Sequence, residues 1–214
     1  MEDKKYLDIA KHYDECFKKH GPTHLGVDWP NEQYMHIRNR VMLDIKKFSK
    51  ASEGKSTILD FGCGFSSMYS LIKEERLENL SYSGLDINKN FYEYCKKTFP
   101  EVDFLNCDVL SSDNNQDQIP DFDFIVCNGV FTEKRHLSYK EMMIFFQKVT
   151  SILWSKCRVG LSFNLMSKLV DWERDDLFHV SYDELSQFLS KNLSRNFVIR
   201  NDYGLYEYTT YVFK

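Results

Sequence analysis

The spacing of apolar residues changes character along the chain. Residues 4–20 read as a largely polar helix, broken by Gly21-Pro22. Ile37, Val41, Ile45 and Phe48 then fall on one helical face, predicting a second helix over 31–50. After a short linker at 51–56, compact apolar runs alternate with helical stretches. Strands are predicted at 57–61, 82–86, 102–107, 122–127 and 158–163. Helices are predicted at 66–76, 90–98 and 139–155, with a polar loop over 111–120. A helix at 182–193 precedes two strands, 196–201 and 206–213, joined by a turn through Tyr203-Gly204. Strand–helix alternation predicts a parallel sheet covered on both faces, a doubly wound α/β fold. The closing hairpin brings the count to seven strands, the last antiparallel. The pattern divides the chain into a helical extension, 1–50, and a main domain, 51–214.

Composition narrows the class. The 214 residues suffice for one sizeable domain, and 43% hydrophobic content supplies its core. The net charge of −4 and the lack of a basic run leave no electrostatic footprint for a long nucleic acid. Six cysteines form no CxxC pair and fit neither a disulfide framework nor a zinc motif, so no metal is expected and a reducing, cytoplasmic setting is. Met-Glu-Asp-Lys-Lys at the start shows no signal-peptide pattern. No apolar stretch is long enough to predict a membrane span.

The chemistry concentrates at the predicted strand ends. Ile58-Leu59-Asp60-Phe61-Gly62-Cys63-Gly64 reads as a buried strand running into a glycine turn, which lets backbone approach a ligand closely. Asp60 places a carboxylate there. That suits the sulfonium and amino groups of S-adenosylmethionine better than a dinucleotide pyrophosphate. Asp86 ends the second strand about two dozen residues beyond Gly62, near the interval at which an acid reaches ribose hydroxyls. Asp108 follows the third strand, and Asn128-Gly129 the fourth.

Together these features resemble the class I S-adenosylmethionine-dependent methyltransferases, over essentially residues 56–214. Ile-Leu-Asp-Phe-Gly-Cys-Gly resembles the superfamily's first motif. Leu85-Asp86 resembles its ribose-binding position, and Cys107-Asp108-Val109 the position that meets the adenine. His12-Tyr13, His20-Gly21, Val27-Asp28-Trp29 and Arg38 resemble the N-terminal extension of a group of small bacterial methyltransferases. Asn128-Gly129-Val130-Phe131, Phe163-Asn164, Asp202-Tyr203 and Glu207-Tyr208-Thr209 fit the same group. The resemblance implies a Rossmann-like fold and S-adenosylmethionine as cofactor. It implies Asp60, Gly62, Cys63 and Gly64 at the methionine part, and Asp86 with Ile87 at the ribose. Asp108 and Val109 would meet the adenine, and Asn128 and Gly129 the methionine side. Tyr13 and Arg38 would fold over from the extension, Arg38 pairing with the cofactor carboxylate. Two departures stand out: Phe65-Ser66 replaces a frequent third glycine, with Ser66 available as a helix cap, and His179 stands where an aromatic residue is expected.

Methyl transfer requires positioning more than a fixed catalytic group, and only an alcohol acceptor benefits from a base. His179 and His136 are the leading base candidates because histidine titrates near neutral pH; Glu133 and Tyr34 are others. Trp29 and Trp172 flank polar loops and could wall an acceptor pocket. The expected activity is O- or N-methylation of a small polar molecule, under a lid formed by the extension and residues 164–179. A nicotinamide-dependent oxidoreductase fits less well, because the third glycine is missing. A nucleic-acid methyltransferase also fits less well: base N-methylation usually uses a proline-containing turn after the fourth strand, and Asn128-Gly129-Val130-Phe131 has none. A non-catalytic module of the same fold remains the alternative reading.

Overall fold

The computed structural model describes residues 4–49, 54–111, 117 and 119–214. Its strands are β1 (Ser56–Phe61), β2 (Leu80–Asp86), β3 (Asp103–Asn106), β4 (Phe122–Cys127), β5 (Cys157–Ser167), β6 (His179–Val180), β7 (Phe197–Arg200) and β8 (Glu207–Phe213). Seven of them run in the order β3-β2-β1-β4-β5-β8-β7, and the two-residue β6 pairs with β5 off this path. The first five are parallel, and β8 is antiparallel to both neighbours, as the sequence predicts. From β1 the chain builds outward to β2 and β3, then returns to the other side of β1 with β4. The sheet's switch point therefore lies between β1 and β4, where open α/β sheets bind ligands.

Alternate residues of each central strand enter opposite cores. Leu59, Ile125, Cys127 and Phe163 join one cluster with Phe146, Leu185 and Leu189. Ile58, Phe124 and Val126 join the other, with Met42, Met68, Ile72 and Tyr211. Burial of both faces explains why the strands read as continuous apolar runs.

The helices are α1 (Leu7–His20), α2 (Glu32–Leu43), α3 (Ile45–Phe48), α4 (Ser67–Glu74), α5 (Lys89–Thr98), α6 (Tyr139–Ser155) and α7 (Tyr182–Asn192). The predicted 31–50 helix divides at Asp44, whose carboxylate accepts from Arg200 Nη1 at 2.6 Å and pairs with Lys47 Nζ at 2.6 Å. Val41 and Ile45 are buried as expected, but Phe48 is 47% exposed, and Met35, Asn39 and Met42 complete the inward face. Among the described residues no helix is long and apolar enough to cross a membrane.

Two further expectations change. Strand β5 continues four residues past its predicted end, because Asn164, read as a loop residue, is fully buried and hydrogen-bonded inside the sheet. The segment expected as lid from 164 therefore leaves the sheet only after Ser167. Ser66 does not cap α4: it adopts a left-handed conformation (φ 61°) and makes no capping hydrogen bond. Its buried hydroxyl instead lies 3.4 Å from the Tyr82 hydroxyl oxygen and meets Cys95 Sγ at 3.3 Å.

Candidate active site

A cleft opens at the carboxyl ends of β1, β2 and β4, roofed by α1 and the short helical turn His24–Val27. The turn after β1 forms its floor. Gly62 has φ +73°, and a Cβ there would lie 2.6 Å from Val130 Cγ2, so both backbone conformation and space exclude a side chain. Gly62 and Cys63 amides donate to the Leu85 carbonyl at 2.7 and 3.1 Å, tying the turn to β2.

Three carboxylates line this cleft. Asp86 accepts from the Gly64 amide at 2.9 Å and the Asn88 amide at 2.8 Å, one on each oxygen. Each oxygen keeps a second lone-pair site for a ligand hydroxyl. Asp60 accepts from the Tyr82 hydroxyl at 2.8 Å. Asp108 accepts from Tyr6 at 2.7 Å and from the Leu110 amide at 3.0 Å. Burial pushes Asp60 up to about 7, against the Tyr82 hydrogen bond and with help from the Asp86 charge. Burial likewise pushes Asp86 up to about 6, opposed by the Asn88 and Gly64 amides.

The β4 end of the cleft carries a linked polar network. Asn128 donates to Asn39 at 2.8 Å, and Asn39 donates to Ser67 at 3.0 Å. The Gly129 amide donates to Asn164 Oδ1 at 2.8 Å. Asn164 Nδ2 donates to Glu207 at 3.0 Å, and Arg38 Nε donates to the other oxygen of Glu207 at 2.8 Å. The Arg38 guanidinium lies over the Trp29 ring, 5.1 Å from its centroid. Trp29 closes the circuit against Gly129 (φ +83°), where a Cβ would stand 3.1 Å from the indole. Asn128 Oδ1 and Arg38 Nη1 are buried without a hydrogen-bond partner among the described residues.

Tyr13, Asp60, Gly62, Cys63, Gly64, Asp86, Ile87, Asp108, Val109, Asn128 and Gly129 all line the cleft. Arg38 does not: its guanidinium lies over the Trp29 ring and its Nε is held by Glu207. None of the four candidate bases, His179, His136, Glu133 and Tyr34, lines the cleft. His179 is buried in β6, with Nδ1 against the Ser167 carbonyl at 2.6 Å and Nε2 accepting from the Arg174 amide at 3.3 Å. Both ring nitrogens are thereby used in holding the β5–β6 segment. His136 is exposed at the loop before α6. Trp172 is 69% exposed and walls no part of the cleft. Sequence reading missed Tyr6 and Asn39. Asn39 had a signal: a polar residue on an apolar helix face, between Met35 and Met42.

Comparison with known proteins fits this arrangement. Residues 59–153 match the family model described as "Methyltransferase domain". A Mycobacterium tuberculosis protein named "Putative methyltransferase Rv1506c" is 24% identical over 160 residues, covering 74% of this chain and 93% of that protein. Magnesium protoporphyrin IX methyltransferase (ChlM) from Synechocystis PCC 6803, solved with bound S-adenosylmethionine, superposes with a TM-score of 0.65 at 12% identity. That match spans 98% of this chain and 97% of the other. The plantazolicin methyltransferase BamL, solved in complex with a triazolic desmethylPZN analog and S-adenosylhomocysteine, gives 0.63 at 11% identity, over 97% and 90%.

Proposed function

We propose that this chain, whose residues 59–153 match a methyltransferase-domain family model, is an S-adenosylmethionine-dependent enzyme that methylates an oxygen or nitrogen of a small polar molecule. The observation that carries the reading is the convergence of Asp60, Asp86 and Asp108, from three successive strand ends, on one roofed cleft. The cofactor supplies a methyl group already activated by its sulfonium. The protein's part is to bind, orient and exclude water. Asp86 accepts from the ribose hydroxyls and Asp108 takes the adenine amino group. Asp60 faces the methionine part, and the unpartnered Asn128 Oδ1 receives the amino group there. The N-terminal extension acts as the lid, with Tyr6 and Tyr13 of α1's approach and body pressed over the site. Enclosure by α1 and Trp29 favours a small acceptor, or a slender end of a larger one. Transfer then relies on positioning, with no histidine base.

The test is release of S-adenosylhomocysteine when the full chain meets S-adenosylmethionine and a panel of small alcohols, amines and sugars, beside oligonucleotides. Turnover confined to small acceptors is expected, and turnover with oligonucleotides alone would overturn the substrate class.

The pH dependence follows from the buried carboxyls. Both lie above the ordinary aspartate value of 3.8, so below about pH 6 they hold protons and cannot attract a cationic ligand. Affinity for S-adenosylmethionine is expected to rise from about pH 5.5 to 8 in calorimetric titration, more steeply than for the uncharged-sulfur product. Stability of the ligand-free protein moves the opposite way. Between about pH 4 and 7 the folded state retains protons that the unfolded chain has released, so raising pH removes stability. A flat affinity profile would separate these two groups from binding.

A further inference from the structure

The roof of the cleft carries a cluster that the methyl-transfer reading does not use. His12 and Cys16 stand one helical turn apart on α1 and share a face. Asp28 reaches them from the loop, its backbone held left-handed at φ 54° beyond the short turn His24–Val27. Glu133 arrives from the segment after β4 and is buried. His12 Nε2 lies 2.7 Å from Asp28 Oδ2, 3.6 Å from Cys16 Sγ and 3.8 Å from Glu133 Oε2. The ligand atoms of His12, Cys16 and Asp28 all lie within 4.8 Å of one another.

We propose that His12, Cys16, Asp28 and Glu133 form a binding site for a zinc-class divalent cation, which clasps α1 and the loop beneath it to the β4 segment.

A tetrahedral ion with bonds of about 2.0–2.3 Å separates its donor atoms by roughly 3.3–3.8 Å. The His12–Cys16 separation of 3.6 Å already matches a nitrogen–sulfur pair, and the His12–Glu133 pair, at 3.8 Å, closes by roughly 0.4 Å to reach nitrogen–oxygen spacing. The His12–Asp28 pair, now at hydrogen-bond distance, opens by roughly 0.6 Å to admit the ion. A nitrogen, sulfur and two oxygens suit zinc or cobalt rather than magnesium or calcium, which take oxygen ligands. Arg135 Nη1, 3.4 Å from Glu133, offsets the surplus negative charge of three anionic ligands. The cation would join three segments distant in sequence, which is why no zinc spacing is legible in the chain. Its neighbours Tyr13 and Trp29 line the cleft, so the clasp would fix the roof over the acceptor.

The test is independent of catalysis. The reduced full chain is titrated with cobalt(II), followed by absorbance, and then with zinc in competition. One equivalent should bind with a thiolate-to-cobalt charge-transfer band. Cys16→Ser should abolish the band, and His12→Ala should weaken binding at least tenfold. Absence of stoichiometric binding, or a band undiminished in Cys16→Ser, would overturn the site and leave His12–Asp28 a simple hydrogen-bonded pair.

Discussion

Glu207→Ala is expected to destabilise the protein by about 3–5 kcal/mol, the usual consequence of removing one partner of a buried ion pair. Glu207 is only 1% exposed and opens β8 opposite Met166 of β5. Its two oxygens take the Arg38 and Asn164 donors separately. Without it, the half-buried Arg38 charge is left against Trp29 without its carboxylate partner, and the Asn164 amide loses its acceptor. Asn164 also holds the Gly129 amide, so the damage reaches the β4 end of the cleft. Glu207→Gln keeps an acceptor and the side-chain volume, and should lose less. Urea unfolding of both variants measures the difference, and a loss below about 1 kcal/mol for the alanine variant would show that the network carries little.

Asp86→Ala should weaken S-adenosylhomocysteine binding by about 1.5–3 kcal/mol, a factor of roughly 10–150. Two effects act together. The variant removes the acceptor for the ribose hydroxyls, and it frees the Gly64 amide that Asp86 holds in the glycine turn. Calorimetry compares the two proteins, and thermal unfolding of each confirms that the variant is folded. Equal affinity would exclude Asp86 from the site.

What the sequence made legible was local. The ends of β1, β2 and β4 each carry their chemistry beside an apolar run, so Asp60, Asp86 and Asn128 could be placed by reading along the chain. Helix α6 came out with its exact-to-pattern bounds because Ser138 and Glu141 form a reciprocal cap before an amphipathic stretch. What failed was long-range. Arg38 finds Glu207 across 169 positions, and no spacing encodes that choice. Asn164 and His179 looked like loop residues because they are polar, yet each has its hydrogen bonds satisfied within the fold, which is what permits burial. Residue type alone makes Ser66 a cap, whereas the tight turn places it in a left-handed conformation and its hydroxyl inward.

The most direct test of the central claim is calorimetric titration of the full chain with S-adenosylhomocysteine, with NADH titrated in parallel. Binding at one site with micromolar affinity, and no heat from NADH, is the predicted result. No binding of S-adenosylhomocysteine to the folded protein, or equal binding of NADH, would contradict it.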